Sequence, residues 1–262
     1  MKFKILLFLF FIANISFSQN KGLAYYGYIE ALYEGNSKGA DSNAYLVYNK
    51  EQSYYVTAKD SLEKPINSKG INVYQKNDER KREYTGKTSP QGDQVVYNLK
   101  TATLRSNLYM DKQIYIKEEA PKLNWKLSNE SKLIGTFLCK KATVFFRGRN
   151  YTAWYTNKIA VPFGPWKLNG LPGLILEAYD TDKKVFWYFK NVEYPSNTKE
   201  NVNSMRKAKG SKPIKFVDYE AFKKFRIERQ QEGIDVNRMN QKNFKGVIFV
   251  DPKISEMFVE FE

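Results

Sequence analysis

The chain of 262 residues contains no histidine and a single cysteine, Cys139. That composition excludes a Ser-His-Asp triad, a Cys-His pair and any histidine-ligated metal site. It equally excludes an intramolecular disulfide or a multi-cysteine cluster. Carboxylates, arginines and aromatic rings are what remain for chemistry. Glu177, Asp180 and Asp182 are close enough in sequence to act as an acid/base pair or as oxygen ligands for a hard cation. Their spacing is not diagnostic, however, and Asp180 and Asp182 fall in an expected turn, where aspartate is favoured for backbone reasons. Arg147 and Arg149 flank Gly148 and could grip a carboxylate or phosphate bidentately. A solvated strand end is the competing reading. Trp154, Tyr155, Phe163 and Trp166 offer large flat surfaces for a ligand groove, and the same rings could instead fill a core. Leu171 and Pro172 sit on a loop beside them. Cys139, among Phe137, Leu138, Ala142 and Val144, reads as a buried, inert thiol. The residues nominate no catalytic group, no metal and no cofactor. The candidate ligand-binding set is Arg147, Arg149, Trp154, Tyr155, Phe163, Trp166, Leu171 and Pro172.

These side chains need a frame, and the pattern around them is β-like. Residues 23–33 are aromatic and apolar with partial alternation, as in a long strand. Residues 44–48 and 54–57 read as a hairpin. After a polar, mixed-charge excursion at 60–92, short strands are expected at 95–99, 103–110, 113–117, 125–127, 143–147, 152–156, 174–179 and 185–193. Asp180 to Lys183 forms the turn between the last two. Strands arriving at this spacing without helical patterns between them argue for an antiparallel sheet. One amphipathic helix is expected to start at Asp218, to turn Tyr219, Phe222 and Phe225 inward, and to end at Gly233. Residues 247–250 and 257–261 return to β character. The fold class is therefore mainly β (a β-rich α+β protein): a single curved antiparallel sheet or half-barrel with one packed helix.

The segment 147–177, RGRNYTAWYTNKIAVPFGPWKLNGLPGLILE, concentrates the candidate residues. Its Leu171-Pro172-Gly173-Leu174 step has the chemistry of a type II turn, with Pro presetting φ and Gly accepting positive φ. Gly170 permits another unusual torsion or a close backbone approach. The apolar run Leu174-Ile175-Leu176 predicts a strand buried on both faces. The hexapeptide Gly170-Leu171-Pro172-Gly173-Leu174-Ile175, with Ala153-Trp154-Tyr155-Thr156 and Gly164-Pro165 upstream, resembles the signature of the GLPGLI family. The likeness extends from Leu23 to about Tyr194. One departure is Ile159-Ala-Val-Pro162, where the family often has an Ile-Pro pair. The resemblance implies export in a Gram-negative bacterium rich in TonB-dependent outer-membrane receptors, and such a receptor is a candidate partner. It implies no particular activity. The order of elements is also loosely similar to the half-barrels of outer-membrane lipoprotein carriers, which hold acyl chains on a concave apolar face; this is an analogy at the level of fold.

Residues 1–18 have the form of a cleaved secretory signal: Lys2 and Lys4, then the apolar Ile5 to Ala13, then the small Ser16 and Ser18. Gln19 would begin the mature protein, read as a single β-rich domain over 19–262. The apolar run is too short for a membrane span, and no later segment is long enough. Removing the signal takes two lysines and no acid, lowering the formal charge from +15 to +13. The lysines are dispersed, and the cluster Arg206, Lys207, Lys209, Lys212 and Lys215 reads as a solvated loop. Nucleic acid is not an expected partner of an exported protein. The expected location is the periplasm or the outer-membrane surface.

Two functions from different classes fit. One is an exported envelope-associated binding or accessory protein, holding an apolar or peptide ligand or an outer-membrane partner. It predicts an aromatic-lined cleft near residues 154–173 without convergent acids. The alternative is a hydrolase using carboxylates, which predicts at least two of them meeting in that cleft. A purely structural surface protein would have no cleft.

Overall fold

The computed structural model of the chain describes residues 21–32, 40–57, 92–110, 112–207, 212–244, 246 and 248–262. The expected signal at 1–18 and nearly all of the excursion at 60–92 lie outside the described residues. The described residues form twelve strands: β1 (Gly22–Glu30), β2 (Ala40–Tyr48), β3 (Gln52–Thr57), β4 (Gln94–Asn98), β5 (Thr103–Met110), β6 (Lys112–Glu119), β7 (Lys126–Ile134), β8 (Phe137–Phe146), β9 (Arg149–Thr156), β10 (Leu174–Asp180), β11 (Val185–Glu193) and β12 (Phe216–Val217). They form one open, curved sheet in the order β12-β6-β5-β4-β3-β2-β1-β11-β10-β9-β8-β7. Two runs of sequential neighbours, β1 to β6 and β7 to β11, meet where β1 pairs antiparallel with β11. Every pairing is antiparallel except that of β12 with β6. The mainly β, curved-sheet expectation therefore holds.

Alternation along the strands sorts side chains onto two faces. Cross-strand partners share a face, so Ala24, Leu46, Tyr55, Val95, Ser106 and Ile116 form one row across six strands. Ala24, Leu46, Tyr55 and Val95 belong to the main core, together with Tyr26, Tyr28, Trp154, Phe163, Leu174 to Leu176 and Trp187. The opposite face carries a smaller cluster of Leu23, Val47, Tyr54 and Val96, covered by Val202 and Met205 from the chain after β11. Leu174, Ile175 and Leu176 are all fully buried, as a continuous apolar run requires. The β8–β9 hairpin turns on Arg147 (φ 54°) and Gly148 (φ 85°), two successive left-handed residues. This is the backbone twist that favours two-residue hairpins.

Three expectations are corrected. The helix α1 (Tyr219–Asn243) does start after Asp218, whose side chain accepts from the Ala221 N–H at 2.7 Å. It continues through Gly233 for almost three more turns. Gly233 has a different task there: a Cβ would lie 2.9 Å from Cγ of Pro252, where the returning chain crosses the helix. Residues 248–250 form no strand, and Ile248 and Val250 are largely exposed. In the last stretch a short helix, α2 (Ile254–Met257), precedes non-strand chain. Among the described residues no helix is long and apolar enough to cross a membrane.

Candidate functional site

The core face of the sheet encloses a cavity of about 430 Å³. Its floor is β1, β3, β4, β5, β6 and β11; its cover comes from the loop after β9, from Phe222 of α1 and from the C-terminal residues Met257 to Glu260. A volume of this order suits a small ligand or one side chain of a larger one.

One wall is aromatic. Tyr28 stacks on Trp187 (ring centroids 5.3 Å, 16° between planes), and Trp187 stacks on Trp166 (5.9 Å, 12°). The indole N–H of Trp187 donates to the Tyr55 hydroxyl at 2.7 Å, which fixes both rings. Trp166 reaches this stack through local backbone geometry. It stands second in the turn closed by Leu168 N–H to Pro165 O, with φ of 54°, a conformation that usually goes to glycine. The surrounding loop is tied by Gly170 N–H to Pro162 O (2.9 Å) and by the Trp125 indole to Asn169 O (2.8 Å).

The glycines of the signature act differently from the expected type II turn. Gly173 N–H donates to Leu171 O at 2.8 Å, closing a three-residue turn around Pro172. Gly170, not Gly173, holds the positive φ (89°). Gly173 is required by contact: a Cβ there would stand 2.2 Å from the Thr156 carbonyl oxygen. The signature loop is a rigid support that carries Trp166 and Lys167 to the cavity.

The opposite part of the lining is acidic. Glu30, at the end of β1, and Asp93, just before β4, both face the cavity. The Tyr28 hydroxyl donates to Glu30 in a short hydrogen bond. No described cation lies within ion-pair distance of either carboxylate, and no described residue donates a hydrogen bond to the Asp93 carboxylate. Burial raises both carboxyl groups above the usual range, and the Glu30 charge adds to the effect on Asp93, which reaches about 7. Burial, with the nearby carboxylates, pushes the Tyr28 and Tyr55 phenols well above their ordinary value. The same wall holds Ser106, whose buried Oγ has no hydrogen-bond partner among the described residues.

The second charge cluster is extensively paired, although the buried Nε atoms of Arg147 and Arg226 have no hydrogen-bond partner among the described residues. Lys167 Nζ donates to Glu118 at 2.9 Å and to both carboxylate oxygens of Glu260 at 2.8 and 2.9 Å. Arg147 pairs with Glu118 and lies over the Tyr219 ring. Arg149 pairs with Asp180 at 2.9 Å and donates to the carbonyls of Val259 (2.9 Å) and Phe258 (3.0 Å). Arg226 of α1 donates to the carbonyls of Glu260 and Glu262. Together they fasten the C-terminal segment over the cavity.

Of the eight residues expected at a ligand site, Trp166 is on the cavity wall. Tyr155, Phe163 and Leu171 are buried in the core and Pro172 is exposed. Trp154 packs in the main core outside the cavity lining, beneath the Lys132 ammonium at 4.4 Å. Arg147 and Arg149 are engaged in the tail network. Of the carboxylates considered, Asp180 is held by Arg149 and accepts from Val185 N–H, and Glu177 pairs with Lys132. Cys139 is buried, and burial lifts its thiol to about 11. Glu30 and Asp93 escaped the sequence reading. The signal for Glu30 was a lone carboxylate ending an otherwise apolar, aromatic strand. Asp93, at the edge of a polar stretch, gave none. Among the described residues no group of three or more acidic or cysteine side chains is arranged to hold a metal ion.

Residues 147–177 match the family described as "Protein of unknown function (Porph_ging)". No curated protein matches. Two solved structures of PNGF-II, in space groups P21 and C2, are similar in fold, with TM-scores of 0.50 and 0.51 at 15% and 17% identity. Each likeness covers 78% of this chain but 32% of PNGF-II, so the chain spans about a third of that protein's length. The open β-sheet is thus shared with part of a larger protein, and the signature loop that supports the cavity is the segment that carries the family match.

Proposed function

We propose that this is an exported, envelope-associated binding protein that holds its ligand in the cavity of the curved sheet. The observation that carries the reading is the pre-formed cavity, with Tyr28, Trp187 and Trp166 stacked along one side and polar groups converging on the other. Binding sites for small molecules and for single side chains of peptides combine apolar walls with a few placed polar groups in this way. The carboxylates refine the expected ligand, which must offer hydrogen-bond donors as well as apolar surface. An outer-membrane partner such as a TonB-dependent receptor would supply such a group as a peptide side chain. The test is native mass spectrometry of gently purified protein, followed by organic extraction. A co-purifying molecule, lost from a folded Trp166→Ala variant, supports the reading; protein that stays empty with cell extract added contradicts it.

A hydrolase is the second reading, favoured by one observation: Glu30 and Asp93 share the cavity, and Asp93 has the raised carboxyl expected of a general acid. Chemical conversion of an extracted ligand, abolished by both Glu30→Gln and Asp93→Asn, would decide for it.

A further inference from the structure

The protein carries 43 basic and 28 acidic residues, yet the cavity lining reverses that balance with Glu30, Asp93 and Glu260 against Lys167. Lys167 and Glu260 neutralise each other, together with Glu118, at 2.8 to 2.9 Å. Glu30 and Asp93 have no ion-pair partner among the described residues; the Arg149 charge acts on Glu30 only from beyond ion-pair distance. Both acidic residues are half-buried, and carboxylates drawn part-way out of water without an ion-pair partner are costly, so a fold retains them where something else supplies the charge or the proton.

Ser106 is an independent observation pointing the same way. It is 3% exposed, and its Oγ lacks a partner among the described residues. The cross-strand row Tyr55, Val95, Ser106 and Ile116 lines the cavity as a unit, which directs this hydroxyl to the cavity face. A buried hydroxyl without a partner can donate to, or accept from, a group brought in from outside. Two carboxylates and a hydroxyl give three acceptor groups beside stacked electron-rich rings. An ammonium has three N–H donors, a guanidinium has five, and both are attracted to the faces of tryptophan and tyrosine.

Building on the binding reading above, we infer that the cavity takes an organic cation. This is an ammonium or guanidinium on an apolar stem, with its charged head at Glu30, Asp93 and Ser106 and its stem along Tyr28, Trp187 and Trp166. A lysine or arginine side chain of a peptide has this chemistry, as does a free aliphatic amine.

Trp166 and Trp187 report on the cavity directly, so the test is tryptophan emission during titration of the full chain with n-pentylammonium chloride. Matched titrations use 1-pentanol, sodium valerate and calcium chloride at constant ionic strength. The expected result is saturable binding of the ammonium, at least ten-fold weaker binding of the alcohol and none of the carboxylate. Asp93→Asn should weaken ammonium binding at least ten-fold while the circular dichroism spectrum and melting profile stay those of a folded protein. Glu30→Gln is read in the same way if Asp93→Asn does not fold. Alcohol binding as tightly as the ammonium overturns the inference and leaves the cavity-binding reading standing. Response to none of the probes overturns both. Saturation by calcium that displaces the ammonium overturns the inference in favour of a metal site.

Discussion

Two groups of charge touch the same cavity and behave oppositely. Lys167, Arg147, Glu118 and Glu260 pair with one another and bind the C-terminal segment to the sheet. Glu30 and Asp93 repel each other, and only Tyr28 among the described residues donates to them. A closed ionic network is explained by architecture, because each charge has its counter-charge and the tail is held in place. The open pair has no such explanation. It is a local cost, and sites kept at a cost to stability are where function is expected. On the proposed reading, the first cluster holds the C-terminal segment over the cavity and the second faces the ligand.

The comparison breaks most easily at Lys167. Replacing it by alanine leaves two buried carboxylates without their ammonium and should destabilise the protein by about 3–5 kcal/mol, the usual consequence of removing half of a buried pair. Urea denaturation measures it, and a loss below about 1 kcal/mol would show that the network is not structural. Gly173→Ala comes next. Its Cβ meets the Thr156 carbonyl at 2.2 Å, so the signature loop must shift, at a cost of about 2–3 kcal/mol. The same denaturation series reports it, together with the changed emission of a displaced Trp166.

Asp93→Asn should have the opposite sign. The folded protein holds this carboxyl near 7, above its ordinary value of about 4, so the folded state binds the extra proton between those limits. The protonated form therefore contributes stability that is full below about pH 4 and lost as pH rises through 7. At pH 8 the asparagine removes an unfavourable charge and should stabilise by on the order of 1–2 kcal/mol, discounted for water in the cavity. At pH 5, where the folded carboxyl is already neutral, the gain should shrink. Paired thermal melts at the two pH values check the sign. The smallest effect concerns Cys139: with its thiol raised to about 11 by burial, alkylation by iodoacetamide at pH 8 should be negligible until the protein is denatured.

The sheet was legible because most of its evidence is local. Alternation in 23–33 and 174–179, and turn residues at 180–183, locate β1, β10 and the last hairpin without any tertiary information. The end of α1 was not, because Gly233 reads as a stop until Pro252 is seen packed against it. The same holds for the signature. Proline and glycine announce a turn at 171–174, but which glycine takes the positive φ depends on Thr156 lying underneath. Of the cavity lining, the residue types and spacing nominated only Trp166. Arg147 and Arg149 look free in sequence and are spent on the returning C-terminus, a contact more than a hundred residues away for Arg149. Glu30 and Asp93 are 63 positions apart and meet only because β1 to β4 stack into one sheet.

The most direct test of the difference between the two clusters is a carboxyl NMR titration of Asp93, in the wild-type chain and in Glu30→Gln. The account predicts an upper midpoint for the pair near 7, falling in the variant but staying above the ordinary carboxylate range, since burial outweighs the neighbour. A midpoint near 4 in both proteins would show a solvated, ordinary carboxylate and contradict the account.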